Sequence, residues 1–184
     1  TGDGGRAMKF DGTAQAYAVT ETSQMGPQAF SVEAWVKTTT KRGGRIVGFS
    51  DTEIGFSRDG WTDRHLYLSD DGKVRFGVAP EGEKKVVTSP AAINDGDWHH
   101  VVGTLGPDGM ALYVDGEQVA SDSGVTEARI MQGHWRLGAD TVKNWPTTPS
   151  AATVAGTIDD VAIYPHAMTA AEIAGHYAAA SGVE

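Results

Sequence analysis

The sequence of 184 residues contains no cysteine. This absence excludes disulfide bonds, zinc sites with cysteine ligands and catalysis by a thiol. No run approaches the roughly 20 apolar residues that a membrane-spanning helix needs, and no signal peptide opens the chain. The first residues, Thr1-Gly2-Asp3-Gly4-Gly5, resemble a linker, so we interpret the sequence as a mature chain or an excised module.

Basic residues are also scarce. The chain has 15 lysines and arginines against 24 aspartates and glutamates, which gives a net charge of −9. No basic patch stands out, so neither nucleic acid nor an anionic membrane is an expected partner. The surplus of carboxylates is compatible with a calcium site, because this hard cation prefers oxygen ligands, and it is equally compatible with simple solubility.

Short apolar-alternating runs separated by turn residues dominate the chain, and this pattern predicts β-strands. The predicted strands cover residues 6–10, 14–20, 29–39, 45–50, 64–69, 73–79, 84–89, 98–105, 110–116, 117–121, 134–139 and 156–164. Asp-Gly pairs at 71–72 and 115–116 predict tight hairpins, because both residue types tolerate a positive φ. Along 29–39 the alternation places Phe30, Val32, Ala34 and Val36 on one face and Glu33, Trp35 and Lys37 on the other.

One helix is predicted, over residues 169–180. Thr169 followed by Glu172 forms a capping box, and Ile173 and Tyr177 stand four residues apart on an alanine-rich segment. Strands without intervening helices indicate an all-β, two-sheet antiparallel sandwich or a barrel. No internal linker or repeat divides the sequence, so we predict a single domain over 1–184 with one short C-terminal helix.

Two predicted loops, 51–63 and 140–153, are longer than hairpins require, and long loops on a rigid sandwich often carry binding sites. An exposed tryptophan stacks against the apolar face of a sugar ring, while nearby polar groups bind its hydroxyls. The candidate glycan-binding residues are Trp61, Asp63, Arg64 and His65 with Arg58 and Asp59 in the first loop, and Asn144 and Trp145 with Lys143 in the second. The alternative is that each tryptophan only anchors its own loop.

Five motifs occur in order along nearly the whole chain: "KFDG" (9–12), "FSVEAWVKT" (30–38), "DGDWHHVVGT" (95–104), "ALYVDGEQVAS" (111–121) and "GTIDDVAIYPHAMTAAEIAGHY" (156–177). Together they resemble the laminin-G-like, concanavalin A-like jelly-roll family. The resemblance implies a jelly-roll sandwich closed by a strand and a helix. It does not imply one ligand, because this fold serves many functions.

The resemblance also implies a calcium ion where the first and last strands meet. The corresponding residues in this sequence are Asp11 and one or both of Asp159 and Asp160, which would supply carboxylates beside backbone carbonyls and water. The alternative is that Asp11-Gly12 only forms a turn and that Asp159 caps nearby amides.

The remaining motifs favour a structural role over catalysis. His99 and His100 are adjacent on a strand and point to opposite faces, so they cannot share one metal ion. No E-x-D-x-x-E run supplies the paired carboxylates of jelly-roll glycanases, and Glu33 has no second carboxylate on its strand. No nucleophile elbow or phosphate-binding loop is present either. We therefore predict a protein that is not an enzyme.

These observations predict a non-catalytic, carbohydrate-binding module of a secreted or cell-surface protein, within a larger multidomain chain. Its partner would be a glycan or polysaccharide. One alternative is a protein–protein adhesion or spacer module without a sugar site. A weaker alternative is a glycoside hydrolase whose acids lie on loops.

Overall fold

The computed structural model describes residues 7–13, 15–53, 55, 57 and 61–182, so the linker-like residues 1–5 and the loop candidates Arg58 and Asp59 lie outside the described part. The described strands are β1 (Met8–Asp11), β2 (Tyr17–Val19), β3 (Gln24–Met25), β4 (Phe30–Lys37), β5 (Gly44–Ser50), β6 (Thr62–Leu68), β7 (Lys73–Val78), β8 (Lys85–Ala92), β9 (Trp98–Gly106), β10 (Gly109–Val114), β11 (Glu117–Asp122), β12 (Gln132–Gly138) and β13 (Ala155–Tyr164). A 3₁₀ turn at Pro80–Gly82 follows β7, and helix α1 spans Ala170–Ser181.

The strands form two antiparallel sheets, which confirms the predicted β-sandwich. The first sheet has the order β1-β13-β4-β9-β10-β11. The second has the order β2-β12-β5-β6-β7-β8, and β3 pairs with β12 at its edge. Because the chain crosses between the sheets several times, residues far apart in sequence meet at the rims.

Alternation along β4 separates the two faces of the first sheet as predicted. Phe30, Val32, Ala34 and Val36 lie in the core between the sheets. On the opposite face Trp35 stacks on Tyr177 of α1, with ring centroids 5.8 Å apart. Helix α1 therefore covers the outer face of the first sheet.

The helix begins and ends as its sequence indicates. The Thr169 side chain accepts a hydrogen bond from the Glu172 amide, and the Glu172 carboxylate accepts one from the Thr169 amide, which completes the capping box. Gly182 ends the helix in the left-handed conformation at φ 70°. In the described part of the chain, no helix has the length and apolarity that crossing a membrane requires.

The adjacent histidines hold the sheet together through different partners. The His99 Nδ1 atom lies 2.8 Å from the Asp115 carboxylate, which also accepts a hydrogen bond from the His100 amide. Asp115 occupies the β10–β11 turn at φ 52°, and Gly116 follows at φ 81°. The His100 ring contacts Glu33 on the outer face, with Nε2 2.6 Å from Oε1. These contacts support the structural interpretation of the pair.

The pairing of His99 predicts how stability changes with pH. The hydrogen bond to Asp115 raises the pKa of His99 above its usual 6.5, and Asp95 acts in the same direction. Since the folded pKa is raised, the stabilisation is complete below about pH 6.5 and is lost as the pH rises through the folded pKa. We expect wild type to be more stable than His99→Gln at about pH 6. This difference in the free energy of unfolding should shrink as the pH rises to about 8.5. Urea unfolding across this range measures the difference, and a difference that does not change with pH would contradict the assignment.

Candidate functional site

A groove of about 610 Å³ opens where the 3₁₀ turn after β7, the segment before β12 and the loop after β12 converge. We call it the Trp61 groove. Its lining residues are Trp61, Pro80, Glu81, Gly82, Lys84, Glu127, Ala128, Arg129, Ile130, Lys143 and Asn144. The groove thus brings together Trp61 and Asn144, one predicted glycan-binding residue from each long loop.

Exposed apolar surface concentrates in this groove. Trp61 is 49% exposed and Ile130 is 78% exposed, and both line it. The Arg129 guanidinium lies 5.3 Å from the centroid of the Trp61 ring, a distance at which cation–π attraction holds both side chains in place. An indole held at the surface in this way presents a flat apolar face beside a fixed cation.

The 3₁₀ turn approaches Arg129 closely from the other side. Gly82 has φ 88°, and a Cβ added there would lie 3.2 Å from Arg129 Nη2. A larger residue would both strain the backbone and displace the guanidinium. Glycine at this position therefore keeps the groove wall next to the cation.

Trp145 supports the groove from behind and is only 3% exposed. Its ring packs edge-on against His65, with centroids 4.6 Å apart, and a Cβ added to Gly77 would lie 2.6 Å from its Cζ3 atom. The Lys84 ammonium lies 5.9 Å from the centroid of the same ring. Trp145 is thus a loop anchor, the alternative interpretation of this residue, and it carries Asn144 to the groove.

The loop that bears Trp145 is fixed at its beginning by buried charges. Asp140 Oδ2 lies 3.1 Å from Arg45 Nη1, and Asp140 Oδ1 accepts a hydrogen bond from the Ser57 amide. The Tyr67 hydroxyl donates to the carbonyl of Pro146 at 2.6 Å. These bonds lay the loop over the outer face of the second sheet, so that face is covered by the chain itself.

Asp63 is fully buried beneath the groove and organises two of its walls. Its Oδ1 atom accepts hydrogen bonds from the amides of Arg64, at 2.6 Å, and Ala79, at 3.0 Å. Its Oδ2 atom accepts one from the Arg129 amide at 2.6 Å. One carboxylate therefore ties the residue before the 3₁₀ turn to the segment that carries Arg129 and Ile130.

Arg64 is also buried, and it binds backbone instead of solvent. Its guanidinium donates to the carbonyls of Pro27, at 3.0 and 3.1 Å, and of Arg129, at 3.2 Å. It also lies over the rings of Phe30 and Phe49. Arg64 thus fixes the Arg129 segment from below, although its own backbone has an unfavourable φ of 53°.

His65 has no exposed surface either. Burial lowers its pKa well below the usual 6.5, and the positive charges of Arg45 and Lys84 lower it further. The imidazole is therefore neutral. Asp63, Arg64, His65 and Trp145, the other predicted glycan-binding residues, are all buried and lie behind the groove lining.

The three aspartates predicted to bind calcium do not converge in the strand register. Asp11 pairs with Ala155 across β1 and β13, while Met8 pairs with Ile158. Asp159 is thus four positions from the partner of Asp11, or about 13 Å along the strand, which is too far for one ion to reach both carboxylates directly. Asp11 Oδ1 accepts a hydrogen bond from the Thr13 amide, as in a turn.

Asp159 and Asp160 lie at an irregularity in β13. The Asp159 Oδ1 atom accepts a hydrogen bond from the Asp160 amide at 3.0 Å, and Asp160 has φ 46°. The described residues contain no group of three or more His, Asp or Glu side chains that could hold a metal ion. A calcium ion shared by Asp11, Asp159 and Asp160 does not fit this arrangement, so the calcium prediction rests on the resemblance alone.

A second groove, of about 590 Å³, lies between α1 and β13 and includes Glu33. Glu33 lies 2.6 Å from His100 Nε2 and 3.1 Å from His176 Nδ1, and it accepts a hydrogen bond from the Tyr164 hydroxyl at 2.8 Å. Burial acts to raise its pKa, but these hydrogen bonds outweigh burial and lower it. A glycosidase acid needs the opposite shift, so this carboxylate fits a role in docking the helix.

Several residues of the Trp61 groove carry no recognisable signal in the sequence. Lys84 is the first residue of a predicted strand, and Arg129 and Ile130 lie in a stretch without periodicity. The Arg129 backbone is held at the groove by long-range hydrogen bonds to Asp63 and Arg64. The one signal among these three residues is Ile130, an apolar residue outside any predicted strand.

The fold and the groove define a two-sheet jelly-roll sandwich with a surface site at one rim. A laminin G family model described as the concanavalin A-like lectin/glucanases superfamily matches residues 11–174. The chain therefore belongs to this superfamily, as the motifs indicated.

This chain is similar in sequence to a rat protein and similar in fold to several solved structures. It is 26% identical over 150 residues to the rat (Rattus norvegicus) sushi, von Willebrand factor type A, EGF and pentraxin domain-containing protein 1, covering 79% of this chain and 4% of that protein. Two solved structures share the fold. The native heptameric SAP-like pentraxin of Limulus polyphemus has a TM-score of 0.65 and 18% identity, covering 90% of this chain and 78% of that one. The Ruminococcus gnavus IT-sialidase CBM40 bound to α2,3 sialyllactose has a TM-score of 0.64 and 20% identity, covering 83% and 84%.

Proposed function

We propose that this protein is a non-catalytic carbohydrate-binding module that binds glycans in the Trp61 groove. The observation that carries the proposal is the half-exposed indole of Trp61, held against Arg129 in a groove that also contains Asn144. Sugar rings have apolar C–H faces that pack on an aromatic ring, and hydroxyls that need hydrogen-bonding side chains. The groove offers both kinds of group, together with the carboxylates of Glu81 and Glu127.

The ligand expected here is longer than one sugar. An adjoining depression of about 390 Å³, distinct from the groove beside α1, shares Glu127 and Ile130 with the Trp61 groove. It continues toward Gln28 and Pro107. An oligosaccharide seated on Trp61 can therefore extend past Ile130. The CBM40 of similar fold, which was solved with bound α2,3 sialyllactose, adds support for glycan binding by this architecture.

We also propose an extracellular or cell-surface location within a larger protein. The name of the rat relative contains several kinds of domain, and this chain covers only 4% of the length of that protein. A glycan-binding module attached to other domains brings them to a surface that carries the glycan.

Replacing Trp61 by alanine tests the proposal. We expect the variant to lose at least about tenfold in affinity for any glycan that the wild type binds, because the stacking surface is removed. The side chain is half exposed, so we expect the free energy of unfolding to change little. Isothermal titration calorimetry against a glycan panel measures the affinity.

Met25→Ala is the matched control for this experiment. Met25 is also a large exposed apolar residue, at 62%, but it lies on β3 and does not line the groove. Its variant should bind like wild type. Glycan binding that survives Trp61→Ala would place the site elsewhere. If the wild type binds no glycan of a broad panel, the adhesion or spacer role is favoured.

Calcium stays a separate prediction, and thermal unfolding measures it without any glycan. An ion that binds only the folded chain raises the unfolding midpoint by mass action. A midpoint that rises with excess calcium and falls with EDTA would support a bound ion. An unchanged midpoint in metal-free protein would contradict it.

A further inference from the structure

The Trp61 groove concentrates positive charge on a strongly acidic protein. Lys84, Arg129 and Lys143 line it, against the carboxylates of Glu81 and Glu127, whereas the whole chain carries a net charge of −9. The sign of the charge is therefore reversed locally. A field of this kind attracts an anionic group to the groove while the rest of the surface repels it.

The two cations nearest the aromatic rings are not neutralised by carboxylates. Among the described residues, neither Lys84 nor Arg129 forms an ion pair, although Lys85, next in the chain, pairs with Glu83 at 2.6 Å. Burial lowers the pKa of Lys84, and the positive charge of Arg129 lowers it further. Both cations line the same groove, and two like charges without an ion-pair partner gain stability when an anion binds beside them.

The neighbouring residues orient the guanidinium of Arg129 in the groove. Its backbone is held by Asp63 and Arg64, and its guanidinium lies 5.3 Å from the Trp61 ring centroid and close to Gly82. A guanidinium presents several N–H donors in one plane, which suits the oxygens of a carboxylate or a sulfate. The anionic group would therefore lie beside the sugar ring that stacks on Trp61.

We infer that the groove selects acidic glycans: a sugar packs on Trp61 while its carboxylate or sulfate group binds Lys84 and Arg129. This inference rests on the proposed function and adds the chemical class of the ligand. The shared chemistry is a negatively charged group on a sugar, and separate arms of the experiment distinguish a carboxylate from a sulfate.

The test compares acidic sugars with their neutral parents by titration calorimetry. The carboxylate arm pairs sialyllactose with lactose, and the sulfate arm pairs a sulfated galactoside with the unsulfated one. We expect at least about tenfold tighter binding of the acidic member in one arm or both, since charge-assisted hydrogen bonds exceed neutral ones. This preference should weaken from about 0.05 M to about 0.5 M salt, because ions screen exposed charges.

Four variants separate the inference from the proposed function. Lys84→Gln and Arg129→Gln should lose most of the preference for the acidic sugar, whereas Arg129→Lys should retain part of it because the charge remains. Lys85→Gln, the neighbouring lysine already paired with Glu83, should behave like wild type.

The outcomes are distinguishable. Glycan binding that depends on Trp61 but shows no preference for acidic members would overturn this inference and leave the proposed function standing. Equal losses in Lys84→Gln and Lys85→Gln would also overturn it. If no sugar of any charge binds, the proposed function itself fails.

Discussion

Replacing Asp63 by alanine is expected to lower the free energy of unfolding by about 3–5 kcal/mol. The substitution leaves Arg64 as a buried charge without its neighbouring carboxylate. It also removes the acceptor for the amides of Arg64, Ala79 and Arg129, which are held at 2.6 to 3.0 Å. Buried donors without acceptors and an unpaired buried charge are both costly, and here one side chain prevents both.

The same substitution should weaken glycan binding without removing any groove-lining side chain. Ala79 leads into the 3₁₀ turn and Arg129 carries the cation beside Trp61, so loss of Asp63 frees both walls. Guanidinium chloride unfolding gives the stability, and calorimetry gives the affinity. If the alanine variant does not fold, Asp63→Asn, which keeps one carbonyl acceptor, measures an intermediate loss.

Asp97→Ala is the control, because Asp97 is exposed and should change stability by less than about 0.5 kcal/mol. A change of that small size at Asp63 would contradict the role assigned to it. If Asp63→Ala instead has normal stability but does not bind the glycan, Asp63 contacts the ligand directly, as predicted from the sequence.

Glu33→Ala has the second large expected effect, a loss of about 3 kcal/mol. Glu33 is 5% exposed and joins β4, β9, β13 and α1 through His100, Tyr164 and His176. Without the carboxylate, the buried His100 ring and the Tyr164 hydroxyl lose their partner. The stack of Tyr177 on Trp35 then has to hold α1 without its polar contacts.

Hydrogen exchange identifies where this loss acts. We expect the amides of α1 to exchange faster in Glu33→Ala than in wild type, because the helix loses its His176 contact with the sheet. The exposed Glu117→Gln on β11 should leave both stability and exchange unchanged. Unaltered exchange of α1 in the Glu33 variant would show that this carboxylate does not dock the helix.

The main fold is predictable because its signals are local. The alternation of Phe30, Val32, Ala34 and Val36 identifies the core face of β4, and Thr169 with Glu172 marks the start of α1. Asp115-Gly116 forms the expected β10–β11 turn with both φ values positive. The short strand β3 was not predicted, since two residues carry no periodicity.

The groove is only half predictable because burial of polar residues is set by distant contacts. The sequence indicates Trp61 and Asn144, and the structure places both in the lining. The sequence cannot indicate that Asp63 accepts a hydrogen bond from the amide of Arg129, which lies 66 positions away in the chain. Polar residues at the end of a predicted loop are expected to face solvent, but Asp63 and Arg64 lie buried on β6 and hold the walls of the groove.

The most direct measurement is the footprint of a bound glycan on the backbone amide spectrum of the isotope-labelled chain. Using the glycan that binds most tightly in calorimetry, the account predicts chemical-shift changes at Trp61, Gly82, Arg129 and Asn144, with little change at the Glu33 groove. Changes centred on Trp35 and His176, with Trp61 unaffected, would contradict the assignment of the Trp61 groove as the binding site.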